Sequence, residues 1–95
     1  VFAPETYGDA DCNVRVFAEC AGIPEDPATG SSNGCLAAYL LEHGYFGENE
    51  IEIEVEQGYE IDRPSQLSLR AKQAGDEIEV SVGGNVIPIA EGRLL

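Results

Sequence analysis

The sequence predicts an α+β domain in which a mainly antiparallel sheet curls around one central helix. Residues 51–56, Ile-Glu-Ile-Glu-Val-Glu, alternate strictly between apolar and acidic, and residues 66–72 and 77–82 repeat that pattern after short breaks. Residues 24–34 are polar and rich in Pro, Gly and Ser, and they run straight into seven consecutive apolar residues, Cys35 to Leu41. No polar residue interrupts two turns of the helix this predicts, so it should be enclosed on most sides. A chain of 95 residues holds one core of modest stability.

The elements follow in order. Val1-Phe2-Ala3 reads as the end of a strand, and residues 4–12 as a turn-rich connection. Residues 13–19 alternate well enough for one strand that delivers the chain to the loop at Ala21-Gly22. The helix is expected over about 31–43, with Gly44 as its stop and Tyr45-Phe46-Gly47 as the exit. In the strand at 51–56 the glutamates form a solvated face, and carboxylates along one side of a strand do not converge as a chelate. Ala74-Gly75-Asp76 turns the chain between the next two strands, and Gly83-Gly84-Asn85 turns it into a last strand at 86–91. Pro88 cannot donate to a ladder, which puts that strand at an edge. The strand-like start and the absence of Met suggest a piece of a longer polypeptide.

Eighteen Asp and Glu against five Lys and Arg give a net charge of −13, which argues against nucleic acid and anionic membrane as partners. No apolar run approaches the ~20 residues that span a bilayer, and no basic start precedes an apolar segment. The three cysteines have no metal-ligand spacing. Cys12 and Cys20 flank the strand expected at 13–19 and would lie about 26 Å apart, too far for a disulfide, which points to a reducing cytoplasm. Cys35 reads as a small apolar core residue of the helix.

The helix start is the chemically interesting end. Its first N–H groups lack intrahelical partners and carry the positive end of the macrodipole, and Gly30 lets a ligand approach the backbone. The bland alternative is an N-cap in which Thr29, Ser31 and Ser32 satisfy those donors. Asp26, between Glu25 and Pro27 in a loop aimed at the helix, is placed to carry a proton. His43 lies about 18 Å from Ser31 along the helix and reads as a C-terminal histidine on the last carbonyls.

Residues 22–31, Gly-Ile-Pro-Glu-Asp-Pro-Ala-Thr-Gly-Ser, continuing through Ala38-Tyr39-Leu40, closely resemble the signature of the phenazine-biosynthesis (PhzF-like) isomerase family. The similarity runs on through residues 57–65, Val82-Gly83-Gly84 and residues 87–92, so it covers nearly the whole chain. The resemblance implies the diaminopimelate-epimerase-like fold, two similar halves facing each other across a cleft, of which this chain is most of the second. It implies a reaction that moves a proton between carbons of a small, carboxylate-bearing substrate without metal or organic cofactor. Asp26 matches the family's loop aspartate, which helps to hold substrate and manage protons. Gly30 and Ser31, with Ser32 beside them, match the helix start that binds the substrate's polar end. Phe17 matches a family phenylalanine in the strand before the loop, its plainer reading being core. The family's chief acid/base is a glutamate of the first half, aided by a histidine there, and neither is in this chain. Alone, the chain should be inactive and should pair, with the first half or with a second copy, by exchanging its terminal strand. The alternative is a stand-alone, non-catalytic dimerising domain with an anion site at the helix start.

Overall fold

The computed structural model describes all residues, Val1 to Leu95. Strands β1 (Phe2–Ala3) and β2 (Cys12–Val14) precede β3 (Val16–Ala18) and β4 (Ile23–Asp26), with a short 3₁₀ turn at Glu19–Ala21 between the last two. Helix α1 (Gly30–Glu42) follows, then β5 (Glu50–Gln57), a second 3₁₀ turn at Tyr59–Ile61, β6 (Ser65–Ala74) and β7 (Glu77–Gly84). A five-stranded sheet runs in the order β1-β2-β5-β6-β7, and β3 and β4 form a separate hairpin-like pair. All pairings are antiparallel except that of β2 with β5. One helix and a mainly antiparallel sheet make this an α+β fold, as the sequence predicts.

Period-two alternation explains the core. Ile51, Ile53 and Val55 point to one face of β5, opposite Ala71, Leu69 and Leu67 of β6, and all six are buried. Onto this face α1 lays Ala37, Leu40 and Leu41, which share a helix side by their spacing. Cys12 and Val14 extend the core on the far flank. Fully burying a leucine such as Leu40 or Leu69 stabilises by about 1.5–3 kcal/mol, so the helix-to-sheet contact is the main cohesive feature of so small a domain.

Several expectations are corrected. The helix is not enclosed within this chain: only Asn33, Ala37, Leu40 and Leu41 are buried, Cys35 is exposed and Tyr39 is 52% exposed. The apolar run is long, but its outer positions hold small residues and a tyrosine, which tolerate water far better than leucines would. Cys35 is therefore not a core residue, and Cys12 is the buried thiol. Residues 13–19 are not one strand. The chain breaks at Arg15, with β2 in the large sheet and β3 paired to β4. Gly83 and Gly84 do not turn the chain but stay in the ladder opposite Ser68 and Leu67. Residues 85–95 form no strand within the chain, and Val86, Ile87 and Ile89 are 86, 83 and 94% exposed.

Candidate active site

Half of the expected loop is strand. Gly22, at φ +77°, closes the 3₁₀ turn by donating its N–H to Glu19 O, and β4 then runs back along β3 with Val16 opposite Asp26. The loop proper is Pro27 to Thr29, and Asp26 ends the strand just before it. Asp26 is half-buried there, and Gly30, Ser31 and Ser32 are exposed on the first turn of α1.

The residue that holds this arrangement together is Gln57, at the end of β5 and fully buried. Its Nε2 donates to Asp26 O at 2.7 Å and to Thr29 Oγ1 at 2.9 Å. Its Oε1 accepts from Asn33 Nδ2 at 2.8 Å and from Thr29 N at 3.3 Å. Asn33 Nδ2 also donates to Thr29 O at 2.7 Å, and the Thr29 hydroxyl donates to Asp26 Oδ2. Ser65 Oγ reaches Pro27 O at 2.7 Å and Gln57 O at 3.1 Å, tying the loop to the start of β6. The N-cap reading therefore fails at Thr29, whose side chain makes no capping bond to the first-turn N–H groups. A shallow concavity of about 320 Å³ opens beside this helix start, with Gly30, Ser65 and Gly83 in its wall.

Gly58 follows Gln57 at φ +84°, and a Cβ there would lie 2.2 Å from Arg63 O and 2.8 Å from Pro27 O. No other residue allows the chain to turn under the loop at this point. On the other side of the loop, Arg15 forms a two-pronged pair with Glu25, Nε to Oε1 at 2.8 Å and Nη2 to Oε2 at 3.0 Å. That hydrogen bonding holds the Glu25 carboxyl below its ordinary range against the opposing effect of burial, and raises the guanidinium in turn. Arg15 also lies 5.0 Å over the Phe17 ring, and Phe17 itself is exposed rather than core.

Glu56 departs from its expected place. Glu50, Glu52 and Glu54 face solvent, but Glu56 is fully buried, with Tyr7 and Gly8 of the preceding connection against its carboxylate. Its carboxylate accepts from the backbone N–H of Tyr7 and of Gly8, the latter at 3.2 Å, and from Asn13 Nδ2 at 3.4 Å. His43 caps the far end of α1, its backbone N–H donating to Tyr39 O at 3.0 Å while its ring lies 4.4 Å from that of Tyr39. No three His, Cys, Asp or Glu side chains converge as metal ligands, and no helix is long and apolar enough to cross a membrane.

Gln57 and Glu56 are the residues to which sequence reasoning gave no role. For Gln57 a signal was present: in the alternation of residues 51, 53 and 55 it takes the inward position, and a carboxamide at an inward position needs buried partners. For Glu56 there was none, since its parity is that of the solvated glutamates.

The profile of a family described as phenazine biosynthesis-like protein matches residues 2–92. Among characterised relatives, the trans-2,3-dihydro-3-hydroxyanthranilate isomerase of Pseudomonas aeruginosa is 44% identical over 80 residues, covering 83% of this chain and 28% of that enzyme. The isomerase of the same name from Pseudomonas chlororaphis is 40% identical over 84 residues, 85% of this chain and 29% of that enzyme. An uncharacterized isomerase of Clostridium acetobutylicum is 32% identical over 95 residues, 95% of this chain and 32% of that protein. The chain thus spans about a third or less of the length of these relatives.

Proposed function

Because the chain belongs to the phenazine biosynthesis-like protein family, we propose that it is the C-terminal half of a PhzF-like isomerase, a cytoplasmic enzyme acting on a small carboxylate-bearing substrate. The observation that carries this reading is the pairing of two features at one place. The first-turn N–H groups of α1 are left uncapped beside exposed Gly30, Ser31 and Ser32, and a hydrogen-bonded carboxylate, Asp26, stands four residues before the helix.

In this reading the uncapped N–H groups and the Ser31 and Ser32 hydroxyls bind the substrate carboxylate, using the positive end of the helix dipole. Asp26 holds the substrate and carries a proton, while the principal acid/base, a glutamate, comes from the other half. That half also covers the outer face of α1 at Cys35 and Tyr39, completing a diaminopimelate-epimerase-like fold in which the sheet closes around the helix. Neither metal nor organic cofactor has a part in the chemistry proposed.

The test is turnover of trans-2,3-dihydro-3-hydroxyanthranilate by the full-length protein, the compound that the Pseudomonas relatives' names give as substrate. Asp26→Asn should lower turnover by about 10²–10⁴-fold, and the 95-residue chain alone should show none. Unchanged turnover in the Asp26 variant, or activity of the isolated chain, would defeat the reading. The exposed tail at Val86, Ile87 and Ile89 favours a second reading, a non-catalytic domain that dimerises and binds an anion at the helix start.

A further inference from the structure

Beneath the helix start the direction of each hydrogen bond around Gln57 is dictated by chemistry. Asp26 O is an acceptor only, so the end of the Gln57 carboxamide 2.7 Å from it must be the nitrogen. Thr29 N is a donor only, so the end 3.3 Å from it must be the oxygen. Two independent anchors fix the amide one way round. The second Nε2 proton then falls on Thr29 Oγ1 at 2.9 Å. A threonine hydroxyl has one proton. With a lone pair already taken by Gln57, that proton goes to the remaining neighbour, Asp26 Oδ2.

We propose that Gln57 is a positioning residue for Asp26: by donating to Thr29 it makes the Thr29 hydroxyl an obligate donor to Oδ2, orienting the carboxylate and leaving Oδ1 for the substrate. The proposal rests on the reading of Asp26 as a group that meets substrate. Gln57 is itself fully buried under the loop and acts only through Thr29 and the Asp26 backbone. Its oxygen is held in turn by Asn33 Nδ2 at 2.8 Å, so the helix start, the loop and the end of β5 share one buried polar network.

The experiment uses the full-length protein and three variants. Thr29→Val keeps the shape of the side chain and loses the hydroxyl, and Thr29→Ser keeps the hydroxyl and loses a methyl. Gln57→Glu, nearly isosteric, replaces the donor end with an acceptor, so that the Thr29 proton is drawn to residue 57 and away from Asp26. The expected result is a fall in kcat of about 10²-fold for Thr29→Val and Gln57→Glu, with KM within about threefold, and near wild-type kcat for Thr29→Ser. A packing role predicts the reverse order, with valine tolerated and serine impaired, and that order would overturn the proposal.

Nitrogen-15 NMR of the Gln57 side chain reads the network without activity. Two dispersed, slowly exchanging amide protons are expected in the wild type and in Thr29→Ser, and loss of protection at one of them in Thr29→Val. A single averaged, fast-exchanging Gln57 amide in the wild type would overturn the positioning role whatever the kinetics. Full activity in Asp26→Asn would instead overturn the functional reading, and the two failures are told apart by which measurement departs.

Discussion

Replacing Gly58 by alanine tests whether the turn under the site is as tightly built as its contacts imply. The residue sits at φ +84°, where any residue with a Cβ loses about 1–2 kcal/mol. The new Cβ would also lie 2.2 Å from Arg63 O and 2.8 Å from Pro27 O, both inside the 3.0 Å that real Cβ atoms respect. Neither obstacle is a flexible side chain, so backbone must move by roughly an ångström, and overpacking of this kind costs about 1–3 kcal/mol. Moving residue 63 also strains the bonds that Arg63 N and Ile61 N make to Gly58 O at 2.9 and 3.3 Å. A total of about 2–5 kcal/mol is expected. Gly44 is the internal control, at φ +62° with nothing within 4 Å of an added Cβ, and Gly44→Ala should cost about 1 kcal/mol. Urea unfolding of the full-length protein and both variants gives the comparison. A Gly58→Ala loss within about 1 kcal/mol of that for Gly44→Ala would refute the reasoning, because it would mean that the loop yields freely. Since Pro27 adjoins Asp26, the folded fraction of Gly58→Ala should also lose activity.

Three further predictions concern Cys12 and the tail. Burial, with Asp11 and Glu56 nearby, pushes the Cys12 thiol up to about 11 from an ordinary 9.0, so at pH 8 a thiol reagent should label exposed Cys20 and Cys35 in the folded chain and spare Cys12. The folded state keeps the Cys12 proton where the unfolded chain releases it, so this thiol's contribution to stability is present below pH 9 and falls as pH rises from 9 to about 11, measurable as an alkaline drop in Tm that Cys12→Ala lacks. The isolated chain, with its tail at residues 86–90 uncovered, should be a dimer that exchanges this tail; because Gly84 still belongs to β7, the crossing starts at Asn85. Light scattering near 10.1 kDa would exclude the dimer.

What was legible in the sequence was what local pattern controls. Ile51, Ile53 and Val55 declare a half-buried strand by their spacing, and Gly75 and Asp76 declare the turn between β6 and β7. The helix was legible for the same reason, expected over about 31–43 and found at Gly30–Glu42. What pattern could not carry was anything set by a partner far along the chain. The seven apolar residues from Cys35 to Leu41 do not say which sides are covered, and within this chain only one side is. The break at Arg15 arises because its side chain is claimed by Glu25, ten residues on, while β2 is claimed by β5. Asp26 and Gly30 stood out by their place before the helix start, and the resemblance to a family then gave them and Ser31 their expected roles, where composition alone would have left a polar loop.

The adjacent pair Glu56 and Gln57 shows why register and site are here one constraint. Successive strand residues face opposite ways, so the end of β5 presents a carboxylate to the segment at residues 7–13 and a carboxamide to the loop at residues 26–33. The two chemistries are not interchangeable. On one face all the partners are donors, the N–H groups of Tyr7 and Gly8 and the amide of Asn13, and an acceptor-only carboxylate satisfies them. On the other face one backbone partner is a carbonyl and another an N–H, and only a group with both functions serves. A slip of one residue would set donor against donor and acceptor against acceptor in buried positions, each left unsatisfied at about 1–3 kcal/mol. Because β2 pairs in parallel with this same strand end, Asn13 opposite Glu56 and Val14 opposite Gln57, the slip would also carry Arg15 away from Glu25. The register that buries Ile51, Ile53 and Val55 is thus also the register that sets Gln57 against Asp26 O and Thr29 Oγ1, and a slipped strand would lose both.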